Sequence, residues 1–257
     1  MRFIRSLFLI VVLTLVLGCQ VSPFAKYLDA KVSECIDGDT VKLDSGQVVR
    51  FIGLDTPELH KKTGENWVDV NEPLALEAKQ LNERLVKGKL VRLEFDVELR
   101  DKYSRFLAYC FVDNVFVNER ILEEGLGLLY TRPPNVRYNE ILVAAQKRAR
   151  NNQKGLWSNE QFISARDAAN YIGSIASVEG KVLKVRESEK VIYLNFGKDY
   201  KKDFTVVIFR QDLASFFAAG INPVKFKNKT LRVFGKVKDY NGPEIIARHP
   251  SQIEVLE

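Results

Sequence analysis

Histidine occurs only twice in the chain, at His60 and His249, and cysteine three times, at Cys19, Cys35 and Cys110. No Cys-x-x-Cys pair and no Cys/His cluster is present, which excludes a zinc site of ordinary ligand spacing. A histidine-based triad likewise has little material. Low-complexity tracts and short-period repeats are missing, so neither a solenoid nor a biased interaction tail is encoded. Acid does not exceed base: Lys and Arg number 39 against 33 Asp and Glu, giving a formal charge of +6 and a pI near 9.1. That sign permits an anionic partner, nucleic acid or a membrane surface, without specifying one. What is present, 46% hydrophobic and 28% charged residues over 257 positions, is the composition of a globular protein with one large or two ordinary domains.

The N-terminus reads "MRFIRSLFLIVVLTLVLGC", with Arg2 and Arg5 ahead of an apolar run from Leu7 to Leu17, then Gly18 and Cys19. A permanent span needs about 20 apolar residues, so this run is a signal-peptide pattern. It resembles a bacterial lipoprotein signal with "VLGC" as its lipobox, which implies cleavage before Cys19 and lipidation of that thiol. Gln20 is not aspartate, and by resemblance to lipoprotein sorting this favours the outer membrane if the host is diderm. The reading is therefore residues 1–18 as signal peptide and 19–30 as tether, with folding starting near Lys31. Cys35 and Cys110 sit in apolar, strand-like stretches; they either pair or stay as buried free thiols, and buried thiols are common.

From Lys31 onward the periodicity changes. "KVSECIDGDTVKL" and "GQVVRFIGL" alternate as strands around an Asp-Ser-Gly turn. Pro73 followed by "LALEAKQLNERLVKG" places Leu74, Leu81, Leu85 and Ala78 on one face before Gly88, an amphipathic helix with start and stop signals. "KLVRLEFD" and "RFLAYCFVDN" are strands again, and "VNERILEEGLGLLY" and "NEILVAAQKRARNNQKGLW" bring two more helices. The first body, residues 31–158, is thus α+β: a small, mainly β barrel with three helices. Residues 159–174 read as a linker with a short helix. Residues 175–257 read as five strands with a helix between the third and fourth, the order of a second OB-like barrel. Tyr193, Phe196 and Phe204 with Lys201, Lys202 and Lys227 either form an aromatic and basic binding face there or, as strand aromatics usually do, fill its core.

Chemistry concentrates around "RFIGLDTPE". Asp37 and Asp39 of "IDGDTV" precede it, and Asp101 and Arg105 of "RDKYSR" follow. Asp39, Asp55 and a backbone carbonyl at Thr56 are oxygen donors suited to a hard divalent cation. Glu58, left off the metal, is able to act on a water, and Arg50 and Arg105 can each donate two hydrogen bonds to a phosphate.

These segments, with "VNERILEEGLGLLY" and "NQKGLWS", resemble the staphylococcal nuclease (thermonuclease) family over about Lys31 to Ser158. The resemblance implies an OB-type five-stranded barrel and a calcium-dependent phosphodiesterase that cleaves DNA and RNA, leaving 3'-phosphates. By position, Asp39, Asp55 and Thr56 match its metal ligands, Glu58 its general base, and Arg50 and Arg105 its phosphate-binding arginines. Asp37 stands behind the metal carboxylates, and Lys102, Tyr103 and Tyr130 match residues lining the nucleotide pocket. Two positions depart from the pattern: Ser104 where glycine is usual, and Arg132 where a second pocket tyrosine can stand. The alternative is a catalytically silent nucleic-acid-binding envelope lipoprotein, which would be expected to lack one of these acids or arginines; none is missing. No protein partner is inferable, and a monomer is expected.

Overall fold

The computed structural model describes residues 27–63 and 66–257. The signal peptide and the lipidated Cys19 lie outside the described residues. Strands β1 (Tyr27–Cys35), β2 (Thr40–Leu43) and β3 (Val48–Phe51) form an antiparallel meander. The Asp-Ser-Gly turn joins β2 to β3, with Gly46 at φ 84, a left-handed conformation that favours glycine. The chain continues through β4 (Gly53–Asp55), a hairpin of β5 (His60–Thr63) and β6 (Asn66–Asp69), α1 (Ala75–Val86), β7 (Leu90–Glu94), β8 (Phe106–Val112) and the two-residue β9 (Val115–Phe116). Strand order is β3-β2-β1-β7-β8-β9, and parallel pairing of β3 with β8 closes five strands into a barrel of OB type. Helix α2 (Val117–Glu123), strand β10 (Leu128–Tyr130), which pairs with β4, and helix α3 (Asn139–Asn151) complete this body. Its core is a single cluster that includes Phe51, Leu54, Leu93, Tyr109, Ile121 and Leu142, all fully buried. Each such side chain contributes about 1.5–3 kcal/mol on leaving water.

Folding does not wait for Lys31: Tyr27 to Lys31 already pair with Glu94 to Leu90, so the end of the expected tether is strand. Leu28, Ala30 and Val32 alternate inward once the distant β7 segment pairs with them. The segment around His60 is a hairpin, and His60 Nδ1 meets Asp69 Oδ1 at 2.7 Å. Cys35 and Cys110 are buried and free, with burial pushing the Cys35 thiol up to about 12 and the Cys110 thiol also upward. Thiols so protonated are poor nucleophiles.

A second core lies in the C-terminal part. Strand β11 (Gln161–Ser164) runs parallel to β12 (Ile175–Lys181), so the stretch expected to be a linker with a short helix begins as a strand, anchored by buried Ile163. Only a 3₁₀ turn, Ala168–Tyr171, is helical there. Then come β13 (Lys184–Glu187), β14 (Val191–Asn195), β15 (Thr205–Phe209), α4 (Leu213–Ala218), β16 (Thr230–Lys236), β17 (Lys238–Asp239), β18 (Pro243–Ile246) and β19 (Ile253–Val255). Two sheets result, β11-β12-β16-β19 and β13-β14-β15-β18-β17, closed over Val178, Leu194, Phe204, Val206 and Phe216. Helix α4 falls between β15 and β16, as the strand order predicted.

Most of the basic side chains on and just after α3 are engaged internally, while Lys147 stays exposed. Arg148 pairs with Glu119 and Glu123, Lys154 with Glu124, and Arg150 with Glu160. Glu160 in turn accepts from Ser177 of β12. Beside them Trp157 packs edge-on against Phe234 of β16 at 5.1 Å, with Ala149, as a small third core. This seam sets the C-terminal sheets next to the mouth of the first barrel.

Candidate active site

The mouth is organised around a buried carboxylate. Asp39, only 2% exposed, accepts at Oδ2 from the Thr56 N–H (2.9 Å) and hydroxyl (3.1 Å), and at Oδ1 from the Thr40 hydroxyl (3.0 Å). Its approach to Thr56 requires Gly38: a Cβ there would meet Thr56 Oγ1 at 2.8 Å and Ala78 Cβ at 2.7 Å. Arg50, on β3 opposite Thr40, reaches across to Asp39 Oδ2 at 2.9 Å and to Asp55 Oδ1 at 2.8 Å. It also donates to the Phe51 and Leu54 carbonyls. Asp37 accepts from the Asp39 N–H at 2.9 Å.

Glu58 follows Pro57 at the rim. Burial first, then the Asp37 and Asp55 carboxylates, push its carboxyl up to about 7, against the pull of Arg50. Burial, against Arg50 and with Asp37 and Asp55 adding, also drives the Asp39 carboxyl upward. One guanidinium thus serves four neighbouring acids. Burial works against the Arg50 charge, and Asp39, Asp55, Asp37 and Glu58 more than offset it, holding the guanidinium protonated.

Arg105 approaches from the loop before β8. Asp101 fixes it twice, with Oδ2 accepting from Nε at 2.7 Å and Oδ1 from the backbone N–H at 3.0 Å. Ser104, at the position where glycine is usual, adopts φ 66, so the loop keeps its left-handed turn with a side chain in place. Tyr103 is 67% exposed and lies 5.6 Å from the Arg105 guanidinium. Lys102 lies over the same ring at 4.9 Å rather than in the cleft.

A cleft of about 1590 Å³ opens over this mouth, lined by Asp37, Asp55, Glu58, Tyr103, Arg105 and Tyr130. Small-molecule pockets hold about 300–1000 Å³, so the space suits a polymer segment. Its opposite wall comes from the C-terminal sheets, including Lys236, Lys238 and Arg248, none of which sequence reasoning selected. Arg248 stacks on the Tyr130 ring at 4.5 Å and its carbonyl accepts from the Thr131 hydroxyl, so one face of that tyrosine is already covered. Glu72, also missed, accepts from the Glu58 N–H at 3.2 Å.

Among the described residues no group of three or more acids, histidines or cysteines converges as a ready metal cage. The donor chemistry nonetheless fits a hard divalent cation: the acids are all oxygen donors, they raise one another's proton affinity, and Arg50 is the cation that offsets them.

An OB-type barrel bearing clustered carboxylates and two arginines beside a polymer-sized cleft is the equipment of a phosphodiester hydrolase. Residues 48–159 match the family described as Staphylococcal nuclease homologue. The chain is 37% identical over 132 residues to a thermonuclease of Staphylococcus hyicus, covering 50% of this chain and 75% of that one. It is 35% identical over 129 residues to a thermonuclease of Staphylococcus intermedius (49% and 74%), and 32% over 146 residues to Endonuclease YncB of Bacillus subtilis (55% and 67%). The chain belongs to the staphylococcal nuclease family, and by that membership it is a nuclease acting on nucleic acid. Strands β1 and β2, which carry Asp37 and Asp39 between them, lie ahead of the matched residues yet complete the barrel.

Proposed function

We propose that this nuclease is a calcium-dependent phosphodiesterase that attacks DNA and/or RNA with water and leaves 3'-phosphates. The observation that carries the reading is the gathering of Asp37, Asp39, Asp55 and Glu58 around Arg50, with Asp37, Asp55 and Glu58 lining the cleft and the buried Asp39 beneath them. Asp39 and Asp55, with the Thr56 carbonyl, would hold a calcium ion, whose charge would offset the carboxylates and polarise a phosphoryl oxygen. Glu58, at the rim of the cleft and off the proposed metal ligands, takes the proton of the attacking water. Arg105, aimed by Asp101, donates to the phosphate oxygens as negative charge builds on them, and Arg50 does so from the barrel side. Tyr103 offers an exposed ring to a neighbouring base.

Arg105→Ala tests this assignment. Removing one such donor is expected to lower kcat by about 10²–10³-fold, with products still ending in 3'-phosphate. Unchanged kcat, or 5'-phosphate ends in the wild type, would remove the assignment.

We also propose that the enzyme works outside the cytoplasm, held by lipid at Cys19. The support is the "VLGC" pattern after an apolar run of signal length. In cells, Cys19→Ser should shift the protein from the membrane fraction to the soluble fraction; an unchanged distribution would count against the anchor.

A further inference from the structure

The cleft wall facing Glu58 is made by β16 and β17, and one residue of it reaches the catalytic rim. Lys236, the last residue of β16, ion-pairs with Glu72 Oε1. The other oxygen of that carboxylate accepts from the Glu58 N–H at 3.2 Å, and the Glu72 N–H donates to the Glu58 carbonyl at 3.0 Å. Glu72 therefore grips both main-chain groups of Glu58, and Lys236 grips Glu72.

Stability does not account for this pair. Lys236 and Glu72 side chains are 33% and 26% exposed, and partly exposed pairs contribute little to stability. Docking does not account for it either, because the Trp157–Phe234 contact, the Arg150–Glu160–Ser177 chain and the Thr131–Arg248 bond already join the two bodies. What Lys236 distinctively does is fix the direction of a carboxylate bonded to the backbone of Glu58. A lysine suits that role because it carries a compact charge on a long stem, and here it spans the gap between bodies.

We infer that Lys236 is a positioning residue for hydrolysis, holding Glu72 and through it the main chain of Glu58, so that the C-terminal sheets are a working part of the active site. The inference rests on the reading of Glu58 as the group that activates water. Displacement of a reacting group by about 1 Å can cost about 10²-fold, so the expected effects are large enough to measure.

The test uses the full chain in mild detergent, with calcium and labelled single-stranded DNA. Lys236→Met is expected to lower kcat by about ten- to a hundred-fold, while KM and the unfolding midpoint stay at wild-type values. Lys236→Arg should restore most of the loss, and in a Glu72→Gln background Lys236→Met should add nothing further. Wild-type kcat in Lys236→Met, or losses that multiply in the double variant, would overturn the inference while leaving the nuclease reading intact. A rise in KM with kcat unchanged would overturn it as well, because Lys236 would then be a direct substrate ligand. A wild-type chain that cleaves nothing would overturn the proposed function and this inference with it.

Discussion

Glu58→Gln is expected to lower kcat on single-stranded DNA by about 10²–10⁴-fold, the range supplied by a well-placed general base. Glutamine keeps the size of the side chain and the backbone bonds to Glu72, so the geometry of the rim survives. It removes the negative charge and with it the ability to take a proton. Stability should hold or rise slightly, because burial first, then Asp37, Asp55 and Glu72, disfavour the Glu58 charge more than Arg50 favours it. Steady-state kinetics with urea unfolding of the same preparation check both halves. Activity within about threefold of wild type, far short of the general-base range, would mean that Glu58 only orients water, or does not touch it.

Arg50→Met is expected to cost both activity and fold. Arg50 is 13% exposed and Asp39 2%, and removing one partner of a buried ion pair costs about 3–5 kcal/mol. The loss should show as a lowered unfolding midpoint with the denaturant slope retained. Arg50 also links Asp55 and the Phe51 and Leu54 carbonyls, so Lys, without the planar fork, should rescue little. Adding Asp39→Asn to Arg50→Met removes the stranded charge; stability should recover substantially while activity stays absent. A double variant as unstable as the single one would show that packing of the arginine stem, not charge pairing, dominates.

Much of this site was legible in the sequence because its parts are local. Asp37 and Asp39 flank one glycine, Arg50 and Asp55 lie five residues apart on consecutive short strands, and Asp101 and Arg105 share one turn. The barrel was legible for the same reason, since its hairpins announce themselves by alternation and by Gly46. What escaped is long-range. Tyr27 to Ala30 become strand only through pairing with the distant segment Val91 to Glu94, and Gln161–Ser164 only through a parallel partner. Lys236 and Glu72 are 164 positions apart, and neither residue looks unusual in its own segment. Of the aromatic and basic residues considered around Phe196, Phe204 belongs to the core, fully buried and packed against Phe196 at 5.1 Å, while Tyr193 and Phe196 are half-buried.

Calcium-assisted hydrolysis centred on Glu58 is checked by cleavage of labelled single-stranded DNA by the chain from Gln20 to Glu257, with calcium and with EDTA, wild type beside Glu58→Gln. Cleavage is expected in calcium, none in EDTA, recovery when calcium is restored in excess, and near-silence of the variant throughout. Tight DNA binding without cleavage in any condition would contradict it and leave a nucleic-acid-binding protein in its place.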